Sequence, residues 1–275
     1  MAETEPDPFR IRAHVADFDD IVADIVARSA DARTRLPMQG DIAYGDGPAE
    51  HLDLFFPAGD RSNLPVHIFI HGGYWRMFSK ADYSYVAESI VAAGAIAVIV
   101  DYALMPGVRM ADIVAQMRRA KAWVISNIAK YGGDPSRLTI SGHSAGAQLA
   151  TCLFSEGEVP SGIRAALLLG GLYDLKPLQD SFLKDEIALT DAEVTAFSPI
   201  IRHHDPATKV AILVGARETP PFHEQAADFA RHLSAQGLSV SQTAIVARNH
   251  MDSVRSLGDP GSLVGRRLVD LIRSV

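Results

Sequence analysis

Between Asp17 and Arg35 apolar residues fall at Phe18, Ile21, Val22, Ile25 and Val26, which is one helix face and predicts a helix over about 17–35. Two short apolar runs around a Gly/Pro turn, IAYGDG (42–47) and EHLDLFFPAG (50–59), predict an antiparallel hairpin. From Pro65 onward the chain alternates. Strand-like runs lie at 66–70 (VHIFI), 95–100 (AIAVIV), 137–141 (RLTIS), 165–170 (AALLLG), 209–215 (KVAILVG) and 239–246 (SVSQTAIV). Helix-like segments separate them at 80–93, 110–130, 145–154 and 222–235, and a last helix is predicted over 259–274. Runs that are apolar without alternation are strands buried on both faces. The expected class is therefore α/β, with a mostly parallel central sheet of about eight strands and helices on both faces. Segment 172–206 breaks the rhythm with irregular Leu, Phe, Asp and Pro. It predicts a small cap inserted over the carboxyl edge of the sheet, where such folds bind ligands. No internal repeat or low-complexity linker divides the chain, so one domain over 1–275 is expected.

Composition narrows the function classes. Among 275 residues 48% are hydrophobic and the net charge is −7, with Lys and Arg scattered and no basic run beyond the pairs at 118–119 and 266–267. That argues against nucleic acid as a partner. Cys152 is the only cysteine, so a disulfide or thiolate metal cluster within the chain is excluded. The start MAETEPDPFR is acidic where a secretory signal would be basic. The most apolar stretch, 90–100, is interrupted by Gly94 and stopped by Asp101, so no membrane segment is expected. The expectation is a cytoplasmic protein with no cofactor, whose partners are a small-molecule substrate and at most a second copy of itself.

The chemistry concentrates at Gly142-His143-Ser144-Ala145-Gly146, a G-x-S-x-G pattern between a predicted strand and a predicted helix. Such a turn holds a serine in a strained conformation, lifts its Oγ clear of the sheet and needs small residues two positions to either side. The N–H of Ala145 would then face an oxyanion. The second oxyanion donor belongs on the loop after an earlier strand, and His71-Gly72-Gly73-Tyr74-Trp75 stands there. Glycines let the backbone turn N–H groups inward, so Gly72 and Gly73 are candidates. A serine needs a base and the base an orienting acid, in chain order Ser, acid, His. His250 follows a late strand in ARNHMD, unlike His71, His143, His203, His204, His223 and His232. Glu218 in GARETPP is the expected acid, with Asp174 and Asp205 as competitors. Asp252 is expected to cap a helix. Adjacent residues in HHD (203–205) rarely share one ion, and no metal site is assigned. Cys152 is expected to be a buried, inert thiol.

Together HGGYW, GHSAGAQLA, GLYDLKPL, SPI (198–200), VGARETPPFHEQAADFA and NHMD resemble the α/β-hydrolase superfamily. Within it they resemble the kynurenine formamidase (arylformamidase)-like group, related to hormone-sensitive-lipase-type esterases. The resemblance spans nearly the whole chain, the N-terminal helix included. Lipase-type esterases keep a third glycine where Tyr74 stands, and the formamidase-like proteins do not. The resemblance implies a Ser144–Glu218–His250 triad, with Gly215 to Glu218 matching the group's GxxE. It also implies hydrolysis of an N-formyl arylamine such as N-formyl-kynurenine, or of a small ester. Flat walls for an aromatic leaving group are expected from Tyr74 and Trp75 on the first loop and from Tyr173 and Phe197 on the insertion, with Phe78 and Phe182 also available. The rivals are a carboxylesterase with no formamidase role and a hydrolase-fold binding protein. The second usually lacks a triad member, whereas this chain keeps candidates for all three.

Overall fold

The computed structural model describes residues 6–275. A short helix α1 (Ile11–His14) and the amphipathic α2 (Phe18–Arg35) lead into β1 (Met38–Ala43), β2 (His51–Phe55) and β3 (Leu64–Ile70). Then follow α3 (Ala87–Ala92), β4 (Ile96–Val100), α4 (Met110–Asn127), β5 (Gly133–His143), α5 (Ala145–Thr151) and β6 (Ile163–Leu169). The insertion carries α6 (Asp191–Phe197) between 3₁₀ turns at Lys176–Asp180 and Pro199–Ile201. The chain ends with β7 (Lys209–Gly215), α7 (Pro220–Ala235), β8 (Val240–Ile245), α8 (His250–Leu257) and α9 (Leu263–Arg273).

All eight strands form one sheet in the order β1-β2-β4-β3-β5-β6-β7-β8. The pairs β1–β2 and β2–β4 are antiparallel and the others parallel. This is the α/β-hydrolase fold. From β3 the chain steps one way to β4, then reverses, crossing back past β3 to β5 and onward to β8. Right-handed crossovers therefore put α3 on one face and α4, α5 and α7 on the other. Helix α9 packs on α3 and α8. The crevice between the carboxyl ends of β3 and β5, whose connections leave to opposite faces, is the switch point at which such sheets bind ligands. Ile70 and Gly142 are paired neighbours there.

Differences from the pattern have local causes. Strand β1 starts four residues before the expected run, because Gly45–Gly47 form a turn closed by the Glu50 carboxylate, which accepts from Gly47 N–H at 2.9 Å. The tail is two helices: Asn249, and not Asp252, caps α8 through Oδ1, which accepts from the Met251 and Asp252 N–H groups at 2.9 and 2.8 Å. Gly258 then ends α8 where a Cβ would lie 2.3 Å from the Tyr85 ring. Two polar clusters pin the layers. Asp53, fully buried on β2, accepts from Lys80 Nζ at 2.9 Å and from Arg33, tying α2 to the sheet. His67 on β3 bonds Thr139 Oγ1 at 2.8 Å and Ser141 Oγ at 2.6 Å on β5. Burial drives the His67 pKa down to about 3, so the ring is neutral.

Candidate active site

Ser144 sits between β5 and α5 with φ 55° and ψ −120°, a left-handed backbone forced on a residue with a side chain. Its flanking glycines are obligatory on steric grounds. A Cβ on Gly142 would lie 2.1 Å from the Gly146 carbonyl oxygen, and one on Gly146 would lie 2.1 Å from that of Ile70. Ser144 N–H donates to Leu169 O at 2.8 Å, which fixes the elbow against β6. Ala145 is the first residue of α5, so its N–H has no acceptor within the helix.

The loop after β3 is a left-handed turn. Gly73, Tyr74 and Trp75 have φ of 103°, 50° and 59°, and the N–H groups of Arg76 and Met77 return to Gly73 O at 3.0 and 3.1 Å. Left-handed backbone costs about 1–2 kcal/mol for each L-residue, hence about 2–4 kcal/mol for Tyr74 and Trp75 together. The two rings offset that cost. Trp75 is fully buried, its Nε1–H donating to Gln148 Oε1 at 3.0 Å, and the Tyr74 hydroxyl donates to Phe9 O at 2.6 Å. Truncating a buried aromatic loses about 3–5 kcal/mol, enough to hold the turn. Behind it, Gly72 O accepts from His71 Nδ1 at 2.9 Å and faces the Tyr102 hydroxyl at 3.4 Å. In a trans peptide C=O and N–H point oppositely, so the Gly73 N–H is turned away from those partners. Among the described residues the N–H groups of Gly72, Gly73, Tyr74 and Ala145 meet no protein acceptor. Gly72 lies deeper, its α-carbon pressed so close that a Cβ would be 3.1 Å from Ser144 Cβ.

His250, the first residue of α8, bonds Glu218 Oε2 through Nδ1 at 2.6 Å, both side chains being buried. The other carboxylate oxygen accepts from Gly215 N–H at 2.7 Å. Arg217 N–H donates to Arg248 O at 2.8 Å, clamping the acid loop to the histidine loop. With Nδ1 occupied, Nε2 is the nitrogen left for a reacting group. Phe222 packs on the His250 ring at 4.8 Å, and the His143 ring lies 4.5 Å away. His143 Nε2–H donates to His250 O at 3.2 Å. Burial and then the nearby His250 hold the His143 pKa well below the usual histidine value, so no second cation competes with an imidazolium at His250. The competing acids are engaged elsewhere: Asp174 accepts from Lys176 N–H at 2.9 Å and Asp205 from Ser161 N–H at 2.7 Å. His204 is buried against Phe154 and Phe229 with its pKa lowered to about 4, chiefly by burial.

Ser144, His143 and His250 floor a cavity of about 50 Å³. Gly73, Tyr74, Met77 and Phe78 from the loop after β3 line it together with Ile11, Phe18, Tyr83 and Met251. Of the aromatics expected to meet a substrate, only Tyr74 and Phe78 border this space. Trp75 points inward as the anchor of the turn. Tyr173 is fully buried, stacked on Phe229 at 4.2 Å. Phe197 lies at a separate cavity beside Cys152, beyond α5, and its carbonyl binds Gln148. Sequence reasoning missed Ile11 and Phe18, although Phe9, Ile11 and Val15 in PFRIRAHV are an apolar signal. It also missed Gly170. At φ 53° this residue lies against the acid–base pair, where a Cβ would stand 3.0 Å from His250 Nδ1 and 3.1 Å from both Glu218 oxygens. Cys152 is buried, with its pKa pushed up to about 11 by burial. Among the described residues no three His, Cys, Asp or Glu side chains gather as a metal-ligand set, and no helix is long and apolar enough to cross a membrane. A larger groove of about 420 Å³ between β8 and α9 holds none of the nominated residues.

Comparison with known proteins finds the same fold. The BD-FAE family model matches residues 52–159. A kynurenine formamidase of Danio rerio is 29% identical over 95% of this chain and 89% of its own length. An isoprenylcysteine alpha-carbonyl methylesterase of Arabidopsis thaliana is 31% identical over 77% of this chain but only 56% of its own length. A solved structure from Silicibacter sp. tm1040, described as a thioesterase, superimposes with TM-score 0.83 at 26% identity, covering 97% of this chain and 98% of that one. The Pyrobaculum calidifontis esterase shares the fold with TM-score 0.72 at 19% identity, covering 93% and 91%. The chain has the α/β-hydrolase fold, is similar to kynurenine formamidases and to esterases of that fold, and is a hydrolase of ester or formamide bonds.

Proposed function

We propose that Ser144, His250 and Glu218 are a catalytic triad and that the enzyme is an arylformamidase-like hydrolase, acting on N-formyl-kynurenine or a similar N-acyl arylamine. Ser144 Oγ attacks the acyl carbon while His250 Nε2 takes the hydroxyl proton, and Glu218 steadies the resulting imidazolium through Nδ1–H. The oxyanion is held by N–H groups of Ala145 and of Gly73, with Gly72 supporting the turn from behind. The C–N bond breaks, His250 gives its proton to the leaving arylamine, and the acyl group stays on Ser144. Water, deprotonated by His250, then releases formate or another small acid and restores the serine.

The observation that carries the reading is the size of the cavity. Its 50 Å³ is about a third of the roughly 150 Å³ in which an apolar cavity admits benzene. A formyl or other very small acyl group fits beside Ser144, while an aryl ring must lie outside this space. The likeness to kynurenine formamidases over almost the whole chain supports the same substrate class. The test is kcat/KM for N-formyl-kynurenine against p-nitrophenyl acetate and butyrate. Formamide turnover at least comparable with acetate, and butyrate far below both, is expected. Ester turnover exceeding formamide turnover by orders of magnitude would instead favour a small-substrate carboxylesterase, the reading that the methylesterase relatives support.

A further inference from the structure

Gln148 is chemically inert, fully buried, and lies one helical turn beyond Ser144, its N–H on Ser144 O at 3.3 Å. Its amide joins three parts of the molecule. Oε1 accepts from Trp75 Nε1–H at 3.0 Å, and Nε2 donates to Phe197 O at 2.9 Å and reaches Cys152 Sγ at 3.5 Å. An indole N–H only donates and a carbonyl only accepts, so these partners dictate which way the amide faces. Trp75 closes the left-handed turn that Gly73 opens, while Gln148 rides on the helix that Ala145 opens. One buried bond thus spans the two separate pieces of backbone that supply oxyanion donors.

We propose that Gln148 is a positioning residue: through Trp75 it holds the Gly73 N–H in register with the Ala145 N–H. The inference rests on the reading of the site given above. A side chain of the same length without an acceptor leaves the Trp75 N–H unpaired in the interior, and the turn it anchors has to shift. A displacement of about 1 Å at such a site costs on the order of 10²-fold in rate. Asparagine is too short to span the gap. Glutamate keeps the acceptor but turns a carboxylate oxygen toward the Phe197 carbonyl.

The experiment compares wild type, Q148M, W75F and the double variant. It reads kcat, KM and the affinity for an aliphatic trifluoromethyl ketone, whose adduct with Ser144 carries an oxyanion. A melting curve for each variant checks that it folds. Q148M and W75F are each expected to lose roughly tenfold to hundredfold in kcat at little change in KM, and to lose ketone affinity by the same factor. The double variant is expected to be no worse than the poorer single one, because both delete the same bond. C152A, which removes the 3.5 Å contact and leaves the Gln148 bonds to Trp75 and Phe197 in place, is expected to keep wild-type kcat. Ketone affinity that holds while kcat falls, losses that multiply in the double variant, a defect confined to KM, or a C152A loss matching Q148M would each overturn the inference. So would a Q148M enzyme equal to wild type. A wild type that neither hydrolyses acyl substrates nor reacts with a fluorophosphonate would overturn the reading of the site, and this inference with it.

Discussion

Gly170 offers a test of the acid–base pair that leaves every reacting group in place. In Gly170→Ala the new methyl stands 3.0 Å from His250 Nδ1 and 3.1 Å from each Glu218 oxygen, some tenths of an ångström inside ordinary contact. The pair cannot yield easily. Glu218 Oε1 is bonded to Gly215 N–H, His250 is packed on Phe222, and Gly170 N–H is itself held by Leu213 O at 2.8 Å. Alanine at φ 53° adds about 1–2 kcal/mol of left-handed strain, which for a chain of this size lowers Tm by roughly 2–8 °C. The 2.6 Å bond between Glu218 and His250 is expected to stretch and tilt the imidazole, with kcat falling roughly tenfold to hundredfold and KM little changed. Steady-state kinetics beside a thermal melt separate the two effects. If Gly170→Ala melts several degrees lower yet keeps wild-type kcat, the glycine is merely a backbone requirement and the steric argument about the pair is wrong.

Three further outcomes follow from the same geometry. Ser144→Ala is expected to abolish fluorophosphonate labelling and lower kcat by roughly 10⁴–10⁶, while Glu218→Gln, which keeps shape but not charge, loses roughly 10²–10⁴; turnover by Ser144→Ala near wild type would refute the nucleophile. His67 is held neutral in the fold down to about pH 3, whereas the unfolded chain protonates it near pH 6.5, so stability is full above that value and falls as pH drops through the window. Urea unfolding between pH 6.5 and 4.5 should show a slope shallower by about 1.4 kcal/mol per pH unit in His67→Gln, and an unchanged slope would mean the ring titrates normally in the fold. Ile11→Ala opens the cavity beside Ser144 and is expected to raise the butyrate-to-acetate ratio of p-nitrophenyl ester turnover; a constant ratio would show that α1 does not set the limit.

The parts of this molecule legible in its sequence are those written in local patterns. Buried parallel strands are continuous apolar runs, so β3 through β7 fall within a few residues of the runs that predicted them. The serine elbow is legible because backbone passes within 2.1 Å of where its glycines would carry a Cβ, leaving no other residue type at Gly142 or Gly146. Glu218 and His250 could be named from their places after β7 and β8, although the helix that follows is capped by Asn249 and not by Asp252.

What escaped depends on contacts between distant segments. An aromatic residue has the same letter whether it faces a substrate or braces a turn, and only the positive φ of Trp75 and its bond to Gln148 decide for the second. Tyr173 and Phe197 follow the same logic, one stacked on α7 and the other beyond α5. Ile11 lies more than a hundred residues from Ser144 and shares its cavity because distant contacts tie down the N-terminal segment: Phe9 O receives the Tyr74 hydroxyl and Pro8 O the Thr219 hydroxyl. Gly170 and Gln148 extend the argument. Neither is a reacting group, so no catalytic motif marks them. Yet the spacing of the acid–base pair and the register of the oxyanion donors depend on their having, respectively, no side chain and one amide of fixed length. A substitution at either position should therefore leave a folded protein with all its reacting groups present and little catalysis, a phenotype that motif reading alone would assign to neither.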